Sequence, residues 1–166
     1  MRRPVAVLAI AGCPLFPATS QWNQRVDQLP VHERSDEMVR SIGLEDSVHP
    51  DFGSGLYEGR QIGIPYNVVG RSQPRKRVRF EYAGESDRGP YPIPRRPRIE
   101  GGSDRHMLMA QRGTCRLFEL FAARRSGRSW RAGSGAIWSL RSNRLRPEGW
   151  TSADAAGLPI LPGLAR

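Results

Sequence analysis

Lysine is almost missing from this 166-residue chain: Lys76 is the only one, and every other member of its 26 basic residues is an arginine. Codon usage in a GC-rich genome imposes such a skew without any partner selecting for it. Phosphate contacts are served by lysine as well as by arginine. The net charge of +10, from 26 basic and 16 acidic residues, therefore reads first as a solvated arginine-rich surface, and nucleic acid is not the expected partner. Long hydrophobic runs are missing too. The longest, Val5 to Ala11, is far below the ~20 residues that cross a bilayer as a helix, so no transmembrane helix is expected. No heptad, tandem repeat or low-complexity tract is present, which excludes coiled coils and solenoids. The only cysteines, Cys13 and Cys115, have no Cys or His neighbour at zinc-ligand spacing. No Walker lysine or dinucleotide fingerprint accompanies the glycines of residues 49–63. No metal and no cofactor is expected.

What the chain has in quantity is turn formers, with 18 Gly and 14 Pro. Spread along the sequence, they predict many turns, short elements and few long helices. Hydrophobic residues at 38% and charged residues at 25% are too apolar a mixture for a disordered chain. The length suits one domain.

The N-terminus has the order of an export signal: Arg2 and Arg3, then the apolar run, then small residues before Cys13. Ile10-Ala11-Gly12-Cys13 also has the form of a bacterial lipoprotein box, in which Cys13 would be lipidated. The competing reading is an ordinary edge strand over residues 4–11. Residues 1–12 are read as a possible signal remnant and 13–166 as one β-rich domain. The two cysteines are either free buried thiols or one disulfide closing a long loop. A disulfide would fit an oxidising compartment, and would leave Cys13 no thiol to lipidate.

Residues 14–30 read as an extended segment plugging an apolar surface with Trp22. Ser35 reads as a helix N-cap, with Asp36 and Glu37 in the first turn, Met38, Val39 and Ile42 as an apolar face and Gly43 as the stop. Strands are expected over 62–69, 77–82, 106–110, 115–123, 129–132 and 135–140, with turns at Arg112-Gly113 and Ser126-Gly127, and with a helix over Leu117 to Phe121 as the alternative that so short a run leaves open. Pro65 marks an edge or bulge. Residues 85–102 form a long proline-stiffened loop, and residues 151–156 a brief helix. The expected fold is mainly β: an antiparallel β-sandwich or barrel-like meander with one or two short helices.

Several stretches together resemble a family of uncharacterised secreted proteins of actinobacteria and similar GC-rich bacteria. They are Cys13 to Pro17 with Trp22-Asn23, His49 to Gly55, Gly63 to Tyr66, Glu85 to Pro94, Asp104 to His106, and Trp138 to Pro162. The resemblance implies export and no assigned activity. Against the family pattern the chain looks truncated at its C-terminus, so the domain is expected to be incomplete there.

Three groups could carry chemistry. Asp104 and His106 precede a strand, and Glu119 lies on its expected partner, so a carboxylate beside a histidine offers general acid–base catalysis or glycoside cleavage. The alternative is a capped turn and a cross-hairpin pair. Glu85, Asp87, Tyr91 and Trp150 offer carboxylates beside aromatics, a pattern that suits sugar binding. Solvated loop carboxylates and core aromatics are the alternative. His32-Glu33 and His49-x-Asp51 lack the second half of a metal site. Gly53-Ser54-Gly55 and Gly133-Ser134-Gly135 lack the setting of a nucleophilic serine and read as turns.

Two functions follow as expectations. One is a secreted or surface-attached domain that binds or acts on an envelope or environmental glycan. The other is a non-catalytic binder of anionic polymers through Arg75-Lys76-Arg77-x-Arg79 and Arg95-Arg96-x-Arg98. A truncated gene remnant is the third, quieter reading.

Overall fold

A computed structural model describes residues 9–47, 55–57 and 59–164. The Arg2-Arg3 start, most of the apolar run behind it and residues 48–54, with the His49-x-Asp51 pair and Ser54, lie outside the described residues. In chain order the elements are β1 (Ala9–Ile10), β2 (Cys13–Pro14), α1 (Ser35–Ile42), β3 (Leu56–Tyr57), β4 (Arg60–Gln61), β5 (Tyr66–Val69), β6 (Val78–Phe80), β7 (Met107–Gln111), β8 (Arg116–Leu120), β9 (Arg124–Ser126), β10 (Ser129–Ala132) and β11 (Gly135–Ser139). The fold is mainly β with few short helices.

Strand β8 pairs antiparallel with β7 on one side and β11 on the other, placing Phe118 between Met109 and Ile137 and Glu119 between Leu108 and Ala136. Strand β5 joins the free edge of β7 in parallel, Tyr66 opposite Leu108. The second sheet runs β6-β10-β9: β9 and β10 form a hairpin around Gly127, and β6 lies parallel to β10 with Val78 opposite Trp130. The two parallel edges depart from a pure meander. Each joins strands separated by a long excursion, residues 70–106 in one case and 81–128 in the other, which is what parallel pairing requires.

Alternation along the strands divides the core in two. Met107, Met109, Phe118 and Leu120 face the second sheet, where they meet Val78, Trp130, Ala132, Tyr91 and Ile93. Leu108, Ala110, Leu117, Ala136 and Trp138 face the other way and are covered by Ile10, Cys13, Leu15, Phe16 and Leu161 from the two ends of the chain. All of β7 is buried, the continuous pattern of a strand covered on both faces. Tyr91 is 0% exposed and meets the rings of Phe80 and Phe118 edge-on at 5.7 and 5.8 Å.

Loops are tied to this frame by buried amides. Asn67 accepts from the Arg98 N–H and donates to the carbonyls of Arg98 and Leu108. Asn23 donates to the carbonyls of Leu15 and Phe16. It is Asn23 that is buried in the 14–30 segment; the expected plug, Trp22, remains 42% exposed. Helix α1 begins at Ser35 with Arg34 in the cap position, so Ser35 is the first helical residue rather than the cap. Gly43 does end it, at φ 113°, donating to the Val39 carbonyl. The helix buries no residue, and Met38, Val39 and Ile42 stay in solvent. The expected strand 115–123 divides at Phe121 to Ala123, and Arg124 to Ser126 crosses to the second sheet as β9. No helix forms over 151–156; Ser152 and Asp154 build a turn there, and a short 3-10 turn follows at Leu161–Gly163.

Cys13 and Cys115 are buried and bonded, with sulfurs 2.06 Å apart across a sequence separation of 102. The bond takes up the thiol that lipidation of Cys13 would need. In the chain-entropy account, a loop of that size contributes about 4 to 5 kcal/mol by restricting the unfolded chain. Cys13→Ser with Cys115→Ser is expected to cost about 2 to 5 kcal/mol, measured by chemical denaturation; an unchanged midpoint would show that the bond does not brace this fold. Gly135 makes a separate test of the sheet interface. A Cβ there would lie 2.5 Å from the Tyr91 hydroxyl and 2.7 Å from the Phe80 ring. Gly135→Ala is expected to lose about 1 to 3 kcal/mol through overpacking, whereas Gly127→Ala, with no neighbour within 4 Å, loses only the cost of its left-handed backbone.

Candidate functional site

The four-stranded sheet ends where β7 begins and β8 finishes, and Asp104, His106 and Phe121 project from that end. Ser134, just before β11, closes one side. Thr151 to Ala155 from the C-terminal segment and Tyr82 and Glu85 from beyond β6 complete a cleft of about 430 Å³. That volume lies in the ordinary range of small-ligand sites. Three of the sequence-derived candidates, Glu85, Asp104 and His106, are thus brought into one wall; Asp154, Tyr82 and Phe121 complete it. The wall holds three carboxylates and no lysine or arginine, in a chain whose net charge is +10.

His106 is held rather than free. Its Nδ1 lies 2.6 Å from Glu100 Oε2 and its Nε2 3.1 Å from the Ala153 carbonyl. Its backbone N–H also donates to Glu100 Oε2, at 3.0 Å. A neutral imidazole can donate through only one of its nitrogens, and neither is left over for a substrate proton. The serines of the wall are equally engaged: Ser134 Oγ donates to the Ser152 carbonyl, and Ser152 Oγ lies 2.6 Å from the Leu158 carbonyl. Asp104 is exposed, with Ser103 Oγ donating to its Oδ1. Glu85 Oε2 accepts the Thr151 N–H, and Asp154 Oδ1 accepts the Ala156 N–H. In each of these three carboxylates one oxygen accepts a local bond and the other has no protein donor among the described residues. Two residues beside the cleft, Arg105 and Ala122, adopt left-handed backbone at φ 47° and 50°, a conformation that costs a side-chain-bearing residue about 1 to 2 kcal/mol. Their neighbours compensate: the Ala122 and Ala123 N–H groups donate to the Asp104 and Arg105 carbonyls.

The remaining candidates lie elsewhere. Glu119 is fully buried on the face of the sheet covered by the chain ends. Its carboxylate accepts the Trp138 indole N–H at 3.0 Å and the Ile160 and Leu161 N–H groups at 3.1 and 2.9 Å. It fastens the C-terminal segment to the sheet and is out of reach of any substrate. Tyr91 is a core side chain whose hydroxyl donates to the Asp87 carbonyl at 2.6 Å, so it lines no ligand site. Asp87 accepts from Arg146 Nη1 at 2.6 Å and from the Ile137 N–H at 2.8 Å. The Arg146 guanidinium lies 5.6 Å from the Trp138 ring centroid and 5.3 Å from that of Trp150. Asp87 and Trp150 therefore join two loops behind the cleft rather than opening into it. His32 accepts the Arg34 N–H. Among the described residues no three His, Cys, Asp or Glu side chains converge at metal-binding distance.

Glu100, which the sequence did not single out, had one visible signal: an acid six residues ahead of His106, separated by Gly101-Gly102, which turn the chain back on itself. Phe121 and Asp154 had none, because their places depend on where β8 ends and where the C-terminal segment lands. Comparison with known proteins adds no relative: no family model, no curated protein and no solved structure matches the chain.

Burial pushes the Glu119 carboxyl up from its ordinary 4.5 to about 7, against the pull of the three N–H donors and of nearby His106. The folded state then holds a proton that the unfolded state has already lost between those two values. Stability from this group is present below 4.5 and falls as pH rises towards 7, by about 3 kcal/mol in total. Glu119→Gln is expected to remove that fall, so that the difference in unfolding free energy between native and variant chains is larger at pH 5 than at pH 8. Equal differences at the two values would place the titration elsewhere.

Proposed function

We propose that this chain is an extracellular or cell-surface β-domain that binds a glycan in the Asp104–Phe121–Asp154 cleft. The observation that carries the reading is the wall itself. Three carboxylates, each with one oxygen free of a protein donor among the described residues, stand with the Tyr82 and Phe121 side chains around about 430 Å³; the nearby Arg146 lines none of it and spends its guanidinium on Asp87 and on the Glu85 and Thr151 carbonyls. Sugars present many hydroxyl donors, which carboxylates accept, and apolar C–H faces, which aromatic rings cover. Tyr82 is 47% exposed and is the ring open to such a face. Binding rather than hydrolysis fits the groups: His106 has both nitrogens engaged, and Glu119 is sealed in the core.

Exposure to an oxidising compartment rests on the Cys13–Cys115 bond, not on the apolar leader. Ile10 is 6% exposed and belongs to the core cluster, so cleavage directly before Cys13 would remove a core side chain. The resemblance to secreted actinobacterial proteins points the same way.

Co-sedimentation with insoluble wall polysaccharides, followed by calorimetry on soluble fragments of those that bind, tests the reading. Tyr82→Ala and Asp154→Asn are each expected to weaken binding at least 10-fold, about 1.4 kcal/mol, with little change in melting temperature. Asn keeps the oxygen that receives the Ala156 N–H. Binding that survives both substitutions, or no binding to any polysaccharide, would remove the cleft as a glycan site.

A further inference from the structure

A second hollow, sharing no lining residue with the first, has the opposite charge. It encloses about 540 Å³ between three stretches of chain, residues 73–76, 93–96 and 125–130. Its wall contains Lys76, Arg95, Arg96, Arg125 and Arg128 and no acidic residue. The two basic runs noticed in the sequence, around residues 76 and 95, thus converge, and the β9–β10 hairpin brings two more arginines to them. None of the five cations is in an ion pair with a carboxylate among the described residues.

The convergence is built by backbone bonds, not by mobile side chains. The Lys76 and Tyr91 peptides exchange N–H···O bonds of 2.7 and 2.9 Å, and Gln73 Nε2 donates to the Ile93 carbonyl at 3.2 Å. Strand β10 is paired with both β6 and β9, which fixes Arg125 opposite Trp130 and Trp130 opposite Val78. Arg125 lies on β9, Arg128 in the hairpin turn, and Lys76, Arg95 and Arg96 on loops tied to one another by these bonds; like charges gathered in this way repel. Nothing in the wall offsets that cost. A scattered arginine-rich surface would place acids among them at the proportion of the whole chain, 16 acidic to 26 basic residues.

We propose that this hollow binds an anionic polymer that carries no bases, such as an acidic polysaccharide or a polyphosphate-type chain, through its repeated oxyanion groups. Guanidinium forks suit both carboxylate and phosphate oxygens. A track for single-stranded nucleic acid adds exposed aromatic rings on which bases stack. The one ring here, Trp130, is 9% exposed and packed into the core between the sheets, so recognition by charge along a chain without bases is the better fit. The inference is separate from the glycan reading: the two hollows share no lining residue and are tested by substitutions at different positions, so either can fail alone.

The test is the salt dependence of binding to three fluorescent probes of matched charge: inorganic polyphosphate, oligo-alginate and a single-stranded oligonucleotide. Polyphosphate or alginate is expected to bind more tightly than the oligonucleotide, with affinity falling steeply as salt is raised because bound counterions are released. Arg95→Gln with Arg96→Gln is expected to lower affinity at least 10-fold at low salt and to make the salt dependence shallower by about one to two in log–log slope. Arg141→Gln with Arg144→Gln removes the same charge from an exposed loop outside the hollow and is expected to change affinity less than 2-fold. Should the first pair fold poorly, Arg128→Gln at the hairpin tip replaces it. Equal losses from both pairs would mean that overall charge, not this hollow, does the binding. A flat salt response, absence of binding, or preference for the oligonucleotide would each overturn the proposal.

Discussion

The four-stranded sheet is covered on both faces, and most of the molecule is arranged to provide that cover. A sheet with one wet face can alternate apolar and polar residues. Here Leu108, Ala110 and Leu117 are as buried as Met107, Met109 and Phe118, so both sets need a partner layer. The second sheet is one layer. The other is made of irregular chain from both ends, with Leu15 and Phe16 from one and Leu161 from the other. Irregular chain carries backbone N–H groups that need acceptors wherever it is buried. The face it covers must supply them.

Glu119 does this for the C-terminal end, while the N-terminal end is held to the sheet by the Cys13–Cys115 bond. A carboxylate in the middle of a buried strand is costly unless several donors reach it, and here the donors come from Trp138 on the next strand and from the segment that needs capping. Asn67 and Gln111 serve loops in the same manner: Gln111 donates to the Gly70 carbonyl and accepts from Thr114 and Arg75. Among the described residues every fully buried side-chain nitrogen or oxygen has a partner. The same logic applies to His106, a candidate for chemistry, and to Ser134, which hold residues 153 and 152 against the sheet. Their engagement is what gives the cleft a fixed wall.

The sequence displayed the parts of the fold that depend on local alternation. Strands 129–132 and 135–139 and the turn at Ser126-Gly127 lie within a residue or so of expectation, because period-two patterning and a glycine turn are written in adjacent residues. Helix 35–42 was equally plain from its acidic first turn and its closing glycine. What adjacent residues do not encode is which strands meet. The parallel joins of Tyr66 to Leu108 and of Val78 to Trp130 link segments far apart in sequence, and no periodicity reports them. The same blindness affected the sites. Glu119 stood out as an acid near a histidine and Asp87 as an acid near aromatics, but what they make is a Trp138 N–H bond in one case and an Arg146 pair packed by two indoles in the other. Composition showed charge without showing where it gathers: the arginine excess looked like dispersed solvation until residues 76, 95, 96, 125 and 128 fell around one hollow.

Segregation of charge on a rigid frame is the property that separates this molecule from a merely basic one. Each hollow takes its walls from three or more distant stretches, yet one gathers carboxylates without arginine and the other cations without carboxylate. Mixing the two signs would have been the easier route to stability, since neighbouring opposite charges relieve one another while like charges repel. The chain instead pairs the half-buried Asp87 with Arg146, and leaves the carboxylates of one hollow and the cations of the other among groups of their own sign. Unrelieved charge of one sign on a preorganised surface is a standing preference for a ligand of complementary character.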